Sequence, residues 1–112
     1  MEKDQYKSFQ GVIRIWCFLK WRRSKVVCAE QMSVETADVT ATLDGKRLGF
    51  VFMLNKTTDF LKAQIINCRK TCDKVYLVTN EIDLNNIPKV EDELGILNVA
   101  DRYGLGNMVE EL

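Results

Sequence analysis

Between Gln5 and Trp21 the apolar residues Phe9, Val12, Ile13, Trp16 and Leu19 recur at three- and four-residue intervals, the spacing of one face of an amphipathic helix. Asp4 is placed to cap its start, and Lys20 can share the last position of the stripe with Leu19. A short apolar stretch at Val26–Ala29, β-branched at its start, predicts a strand. Glu35–Leu43 and Arg47–Leu54 then predict a hairpin across Asp44-Gly45, a pair that tolerates the positive backbone angles of a type I′ turn. Every side chain in Phe50-Val51-Phe52-Met53-Leu54 is apolar. Thr57 or Thr58 caps a second helix that runs to Lys70 and turns Phe60, Leu61, Gln64, Ile65 and Cys68 toward the sheet. Lys74–Thr79 reads as a buried strand, and a helix leading into a strand implies a crossover and parallel pairing. Beyond Asn80 the chain is turn-rich through Asn85-Asn86 and Pro88. Leu94–Ala100 predicts a further strand, Asp101–Gly104 a turn, and a last strand ends near Val109.

These elements predict an α/β fold: one domain over residues 1–112 with a mixed β-sheet flanked by helices. The hairpin belongs at the centre of the sheet and the second helix on one of its faces. A composition of 46% apolar and 29% charged residues is that of an ordinary globular chain with a modest core. No stretch approaches the 18 or so apolar residues of a membrane span, and Met1-Glu2-Lys3-Asp4 is too polar for a secretory signal. A cytoplasmic protein with no membrane partner is expected.

Net charge is zero but uneven. Residues 1–79 hold 14 Lys/Arg against 8 Asp/Glu, giving +6, and residues 80–112 hold 2 against 8, giving −6. Two halves that attract each other, within one fold or across a homodimer, account for this pattern. The other account is a basic face turned to nucleic acid, with Lys20, Arg22, Arg23 and Lys25 contacting phosphates and Trp21 stacking on a base. Cations at the negative end of a helix dipole explain the same cluster without a ligand.

Four cysteines and no histidine restrict the chemistry further. Only Cys68 and Cys72 are close, and they fall on a predicted helix rather than in a pair of zinc knuckles, so free buried thiols are expected. Without histidine, any reaction must rest on carboxylates, lysine or thiolate.

Five segments in order carry a resemblance. Val26–Glu30 (VVCAE) follows the first helix. Glu35–Thr42 (ETADVTAT) is similar to a strand "RRADxxA", Val51–Ala63 (VFMLNKTTDFLKA) to "vEiKsSxaDFrad", and Thr71–Thr79 (TCDKVYLVT) to "yCDrlyFAv". Pro88 with Leu94–Gly104 (LGILNVADRYG) is similar to "P…GLivADxyGa". Together they resemble the MmcB-like, DNA-repair-associated branch of the PD-(D/E)XK, restriction-endonuclease-like superfamily. The resemblance implies a restriction-endonuclease-like core. It also implies a site in which a strand aspartate, a glutamate and a lysine hold a divalent metal and stabilise charge during phosphodiester cleavage.

Asp38 keeps the aspartate. Counting back from Asp59-Phe60, Phe52 falls on the glutamate and Leu54 on the lysine, while Thr36 and Ala37 stand where an arginine is usual. The helix after Asp59 is also one residue shorter than the family's. The remaining candidates are Asp38 and Lys56 for catalysis and Asp38 with Glu30 for metal, with Glu35 and Asp59 as further carboxylates. Lys56 lies two residues beyond the family's lysine and could swing back if the strand continued. Asp59 has a plainer explanation as a first-turn carboxylate. The resemblance therefore implies a catalytically degenerate nuclease-fold protein that binds nucleic acid or a protein partner in DNA repair or processing. On that reading it needs no cofactor. The alternative is an active nuclease, dependent on Mg or Mn, with a relocated lysine and atypical carboxylates. A structural domain unrelated to nucleic acid is a third option, since fold does not fix function.

Overall fold

The computed structural model describes residues 2–54, 56–80, 94–101 and 107–111. Its elements are helix α1 (Glu2–Lys20), strands β1 (Lys25–Cys28), β2 (Val39–Leu43) and β3 (Lys46–Phe52), helix α2 (Thr58–Thr71), and strands β4 (Lys74–Asn80), β5 (Gly95–Asp101) and β6 (Asn107–Glu111). The strands form one mixed sheet in sequential order β1-β2-β3-β4-β5-β6. β1, β2 and β3 are an antiparallel meander; β4 runs parallel to β3 and β5 to β4; β6 closes the sheet antiparallel to β5. The change to parallel pairing falls where α2 intervenes, because a parallel neighbour requires a crossover.

The hairpin forms across Asp44 and Gly45, whose φ angles of 52° and 80° supply the two positive values that a type I′ turn needs. Its first strand is shorter than Glu35–Leu43, since pairing begins at Val39. The second strand ends at Phe52 rather than Leu54.

The side chains of β3 alternate between two helices. Leu48, Phe50 and Phe52 pack with Tyr6, Phe9, Ile13 and Cys17 of α1, together with Val39, Ala41, Tyr76, Val78, Leu97 and Val99. Val51 and Met53 pack on the other side with Leu61, Ile65 and Cys68 of α2 and with Val75 and Leu77. Because both faces are covered, β3 carries an unbroken apolar run instead of an alternating one. Burying one such Phe or Val stabilises the fold by roughly 1.5–3 kcal/mol, so this run is a strong local determinant of the sheet.

α1 begins at Glu2, which places Asp4 inside the helix rather than at its cap. Its buried stripe is Tyr6, Phe9, Gln10, Ile13 and Cys17, with Val12 and Trp16 at its margin, whereas Leu19 is 67% exposed. α2 is capped by Thr57, whose hydroxyl accepts from the amide of Phe60 at 3.1 Å. Its buried stripe is Leu61, Gln64, Ile65 and Cys68, and Phe60 lies only half-buried beside it. All four cysteines are free, with Cys17 and Cys68 buried. No helix is long and apolar enough to cross a membrane among the described residues. The expectations for Asn85-Asn86 and Pro88 lie outside the described residues, as does most of the Asp101–Gly104 turn.

Candidate functional site

Asp38 immediately precedes β2 and is held in the meander from both sides. Its amide donates to the Phe50 carbonyl at 2.9 Å, and its carbonyl accepts from the Ala29 amide at 3.0 Å. Gln10 of α1 reinforces the junction, its side-chain amide donating to the carbonyls of Ala29 (2.8 Å) and Asp38 (3.0 Å). The carboxylate is thereby fixed at the end of the sheet between the two helices, and Asp38 is 1% exposed.

Three donors converge on that carboxylate. The Tyr6 hydroxyl donates to Oδ1 at 2.7 Å. Oδ2 accepts from the Phe52 amide at 2.7 Å and from Lys56 Nζ at 2.6 Å. Lys56 also donates to Gln64 Oε1 at 2.8 Å, and Gln64 Nε2 donates in turn to the Thr36 carbonyl at 2.8 Å. Lys56 Nζ lies 5.7 Å from the centroid of the Phe60 ring, within cation–π range. The side chains of Lys56 and Asp38 are 1% and 0% exposed.

Lys56 reaches Asp38 because β3 stops. A continuing strand would have carried it onward, but the chain turns at Leu54 and α2 starts after Thr57, which directs Lys56 back across the end of the sheet. Burial lowers the affinity of the Lys56 amine for its proton, and the Asp38 carboxylate opposes that effect. Burial, with the Asp38 charge behind it, raises the Tyr6 hydroxyl far above the usual phenol range and holds it as a donor. The result is an internal ion pair with its hydrogen-bonding groups directed at one another.

The two positions that the resemblance aligns with a glutamate and a lysine are core. Phe52 is fully buried and meets the rings of Tyr6 and Phe9 edge-on at centroid distances of 5.7 and 5.8 Å. Leu54 is buried in the same cluster. Glu30 and Glu35 are exposed, so they do not share the enclosed position of Asp38. Asp59 is exposed in the first turn of α2. Among the described residues no three His, Cys, Asp or Glu side chains converge on one point.

This donor set does not fit a divalent ion. Magnesium takes six oxygen ligands in near-octahedral geometry, whereas this enclosure has one carboxylate, already bonded to three donors, and an ammonium where a second ligand would be needed. Tyr6, Gln10 and Gln64 are the members of the site that sequence reasoning did not assign. The signal for Gln64 and Gln10 was there to read: each is a polar residue on the buried stripe of a helix, where an amide persists only with a partner.

At the far end of α1, Lys20 forms an ion pair with Glu111, and its Nζ lies 4.9 Å from the Trp16 ring centroid and 5.3 Å from that of Trp21. Arg22, Arg23 and Lys25 are exposed. The Lys20–Glu111 pair joins the basic and acidic halves of the sequence within one chain. Comparison with family models, curated proteins and solved structures finds no match for the chain.

Proposed function

We propose that this chain is a catalytically degenerate protein of the PD-(D/E)XK nuclease fold that acts by binding nucleic acid. The observation that carries the reading is the closed Asp38–Lys56 pair. An aspartate at the head of β2 and a lysine stand together, as the resemblance implies for a nuclease, but each satisfies the other inside the protein. The order of elements supports the same reading: a helix, a strand, the Asp38 strand, the Phe52 strand, a helix and a parallel strand follow one another as the quoted segments do. Binding falls to the exposed cations Arg22, Arg23 and Lys25, with Lys20 beside them at the end of α1.

The purified protein is expected to leave single- and double-stranded DNA and RNA intact with magnesium or manganese, because Phe52 and Leu54 supply neither ligand nor cation. It is expected to bind DNA with an affinity that falls as salt rises, each phosphate contact adding about 0.7–0.9 to the log–log slope. Neutralising Arg22 and Arg23 together should flatten that slope.

One observation favours a second reading, an active nuclease: the relocated Lys56 does reach Asp38. Metal-dependent cleavage that disappears in Asp38→Ala would establish that reading and overturn the first. Salt-independent binding, or none at low salt, would remove nucleic acid as the direct partner and leave a protein partner.

A further inference from the structure

At the turn end of the β2–β3 hairpin, away from Asp38, lies a cavity of about 380 Å³ lined by Trp21, Leu43, Asp44, Lys46, Leu48 and Tyr76. That volume falls in the range of small-ligand pockets. Tyr76 is 3% exposed, stacked on Phe50 with centroids 5.0 Å apart and planes 10° apart. Gly95 lies beside the ring in the next strand: a Cβ there would stand 2.5 Å from Tyr76 Cδ2, so this ring position requires glycine. Tyr76, with its ring covered in this way, is also one of the residues that line the cavity.

Three lysines lie in or near the cavity. Lys46 lines it, Lys74 lies opposite Leu48 in the β3–β4 register with its Nζ 4.8 Å from the Tyr76 ring centroid, and Lys20 stands by Trp21. The cavity therefore combines the apolar side chains of Leu43 and Leu48, the half-buried indole of Trp21, the phenol of Tyr76 and one lysine in its lining, with further lysines nearby. The carboxylate of Asp44 repels phosphate, so a phosphate belongs on the lysines and the ring of the ligand inside.

We infer that this cavity receives an unpaired base of single-stranded nucleic acid, with Trp21 as its aromatic wall, the Tyr76 hydroxyl as its hydrogen-bond partner, and Lys46 and Lys74 on the adjoining phosphates. The assignment rests on the nucleic-acid reading above and specifies the site. Stacking on aromatic side chains tolerates sequence, because every base has a π-face, and a duplex would not present its bases in this way.

The test is fluorescence anisotropy with a labelled single-stranded DNA 12-mer at low salt. Trp21→Ala is expected to weaken binding about tenfold or more, with Trp21→Phe retaining part of the affinity. Replacing the bases with abasic sites should weaken binding to the native protein by a similar factor. Lys46→Glu, at an exposed position, supplies an independent variant should Trp21→Ala not fold, and is also expected to weaken binding. Equal affinity for abasic and base-containing strands, or binding unaffected by these substitutions, overturns the pocket. If Arg22→Ala with Arg23→Ala still abolishes binding in that case, the nucleic-acid reading survives without it. No binding of any strand by the folded native protein overturns both.

Discussion

At the Asp38 end of the hairpin, Tyr6, the Phe52 amide and Lys56 direct three donors at one carboxylate, and Gln64 takes a further Lys56 proton. At the turn end, Asp44 and Lys46 are exposed, and the cavity beside them is lined by Trp21 and Tyr76. Both ends hold aromatic rings, a carboxylate and lysine, but only the first directs them at one another. A polar cluster that satisfies itself behind apolar walls specifies structure; one that does not retains the capacity to bind. The position where the family resemblance places chemistry is thus the closed end, and the groups still able to meet a ligand lie at the other.

The largest test breaks the closed end. Lys56→Ala leaves the Asp38 carboxylate buried with two donors and no counter-charge, and loss of one partner from a buried pair costs about 3–5 kcal/mol. That is a large share of the roughly 5–15 kcal/mol by which domains are stable. Urea unfolding should show a much lower midpoint. Combining Lys56→Met with Asp38→Asn should restore part of the loss, since the unpaired charge is then gone. A loss below about 1 kcal/mol for Lys56→Ala would show that water reaches the pair and that this end is not closed.

Much of the fold was legible because its signals are local. The all-apolar Phe50–Leu54 run and the Asp44-Gly45 turn fixed the hairpin, and the Leu61, Ile65, Cys68 spacing fixed the buried face of α2. The meeting of Asp38 with Lys56 was legible only in part. The residues stood out, but the proposed route, a continuing strand, is not the one taken. The turn at Leu54 and the Thr57 cap bring Lys56 back. Tyr6 was illegible as a ligand of Asp38 because 32 residues separate them, and the contact depends on how α1 lies across the sheet. Asp4 misled for the reverse reason. It is a good cap by type, but helix formation continues past it to Glu2.

Alkaline pH probes one buried thiol near each end. Burial pushes Cys17, one turn before Trp21, and Cys68, in the cluster behind Lys56, from the ordinary 9.0 up to about 12. A raised folded-state value means that the unfolded chain loses its proton first. The stability contributed is complete below about pH 9 and is lost as pH rises toward 12, at about 1.4 kcal/mol per pH unit for each thiol. Lys56, whose value is lowered, acts in the opposite sense below 10.5, but two thiols outweigh one amine. Unfolding free energy should fall by about 1–3 kcal/mol between pH 9 and 10. Cys17→Ala and Cys68→Ala should each flatten the decline. A stability that rises over this interval would mean that Lys56 dominates and that the thiols are open to water.

The smallest effect on stability belongs to Lys20→Ala at the open end. Its pair with Glu111 is more than a third exposed on both sides, and surface pairs of this kind contribute about 0–1 kcal/mol and are screened by salt. Urea unfolding should therefore barely change, in contrast to Lys56→Ala. Binding should change more, because Lys20 is a cation beside Trp21 for which Glu111 competes with phosphate. Lys20→Ala is expected to weaken DNA binding and reduce the salt slope by about 1. Glu111→Gln, which frees the same ammonium, is expected to strengthen binding without altering the protein's stability by more than a few tenths of a kcal/mol, about the scale of an ordinary surface substitution. If both variants bind as the native protein does, Lys20 serves only to join the two halves of the chain, and the open end stops at Trp21, short of α1.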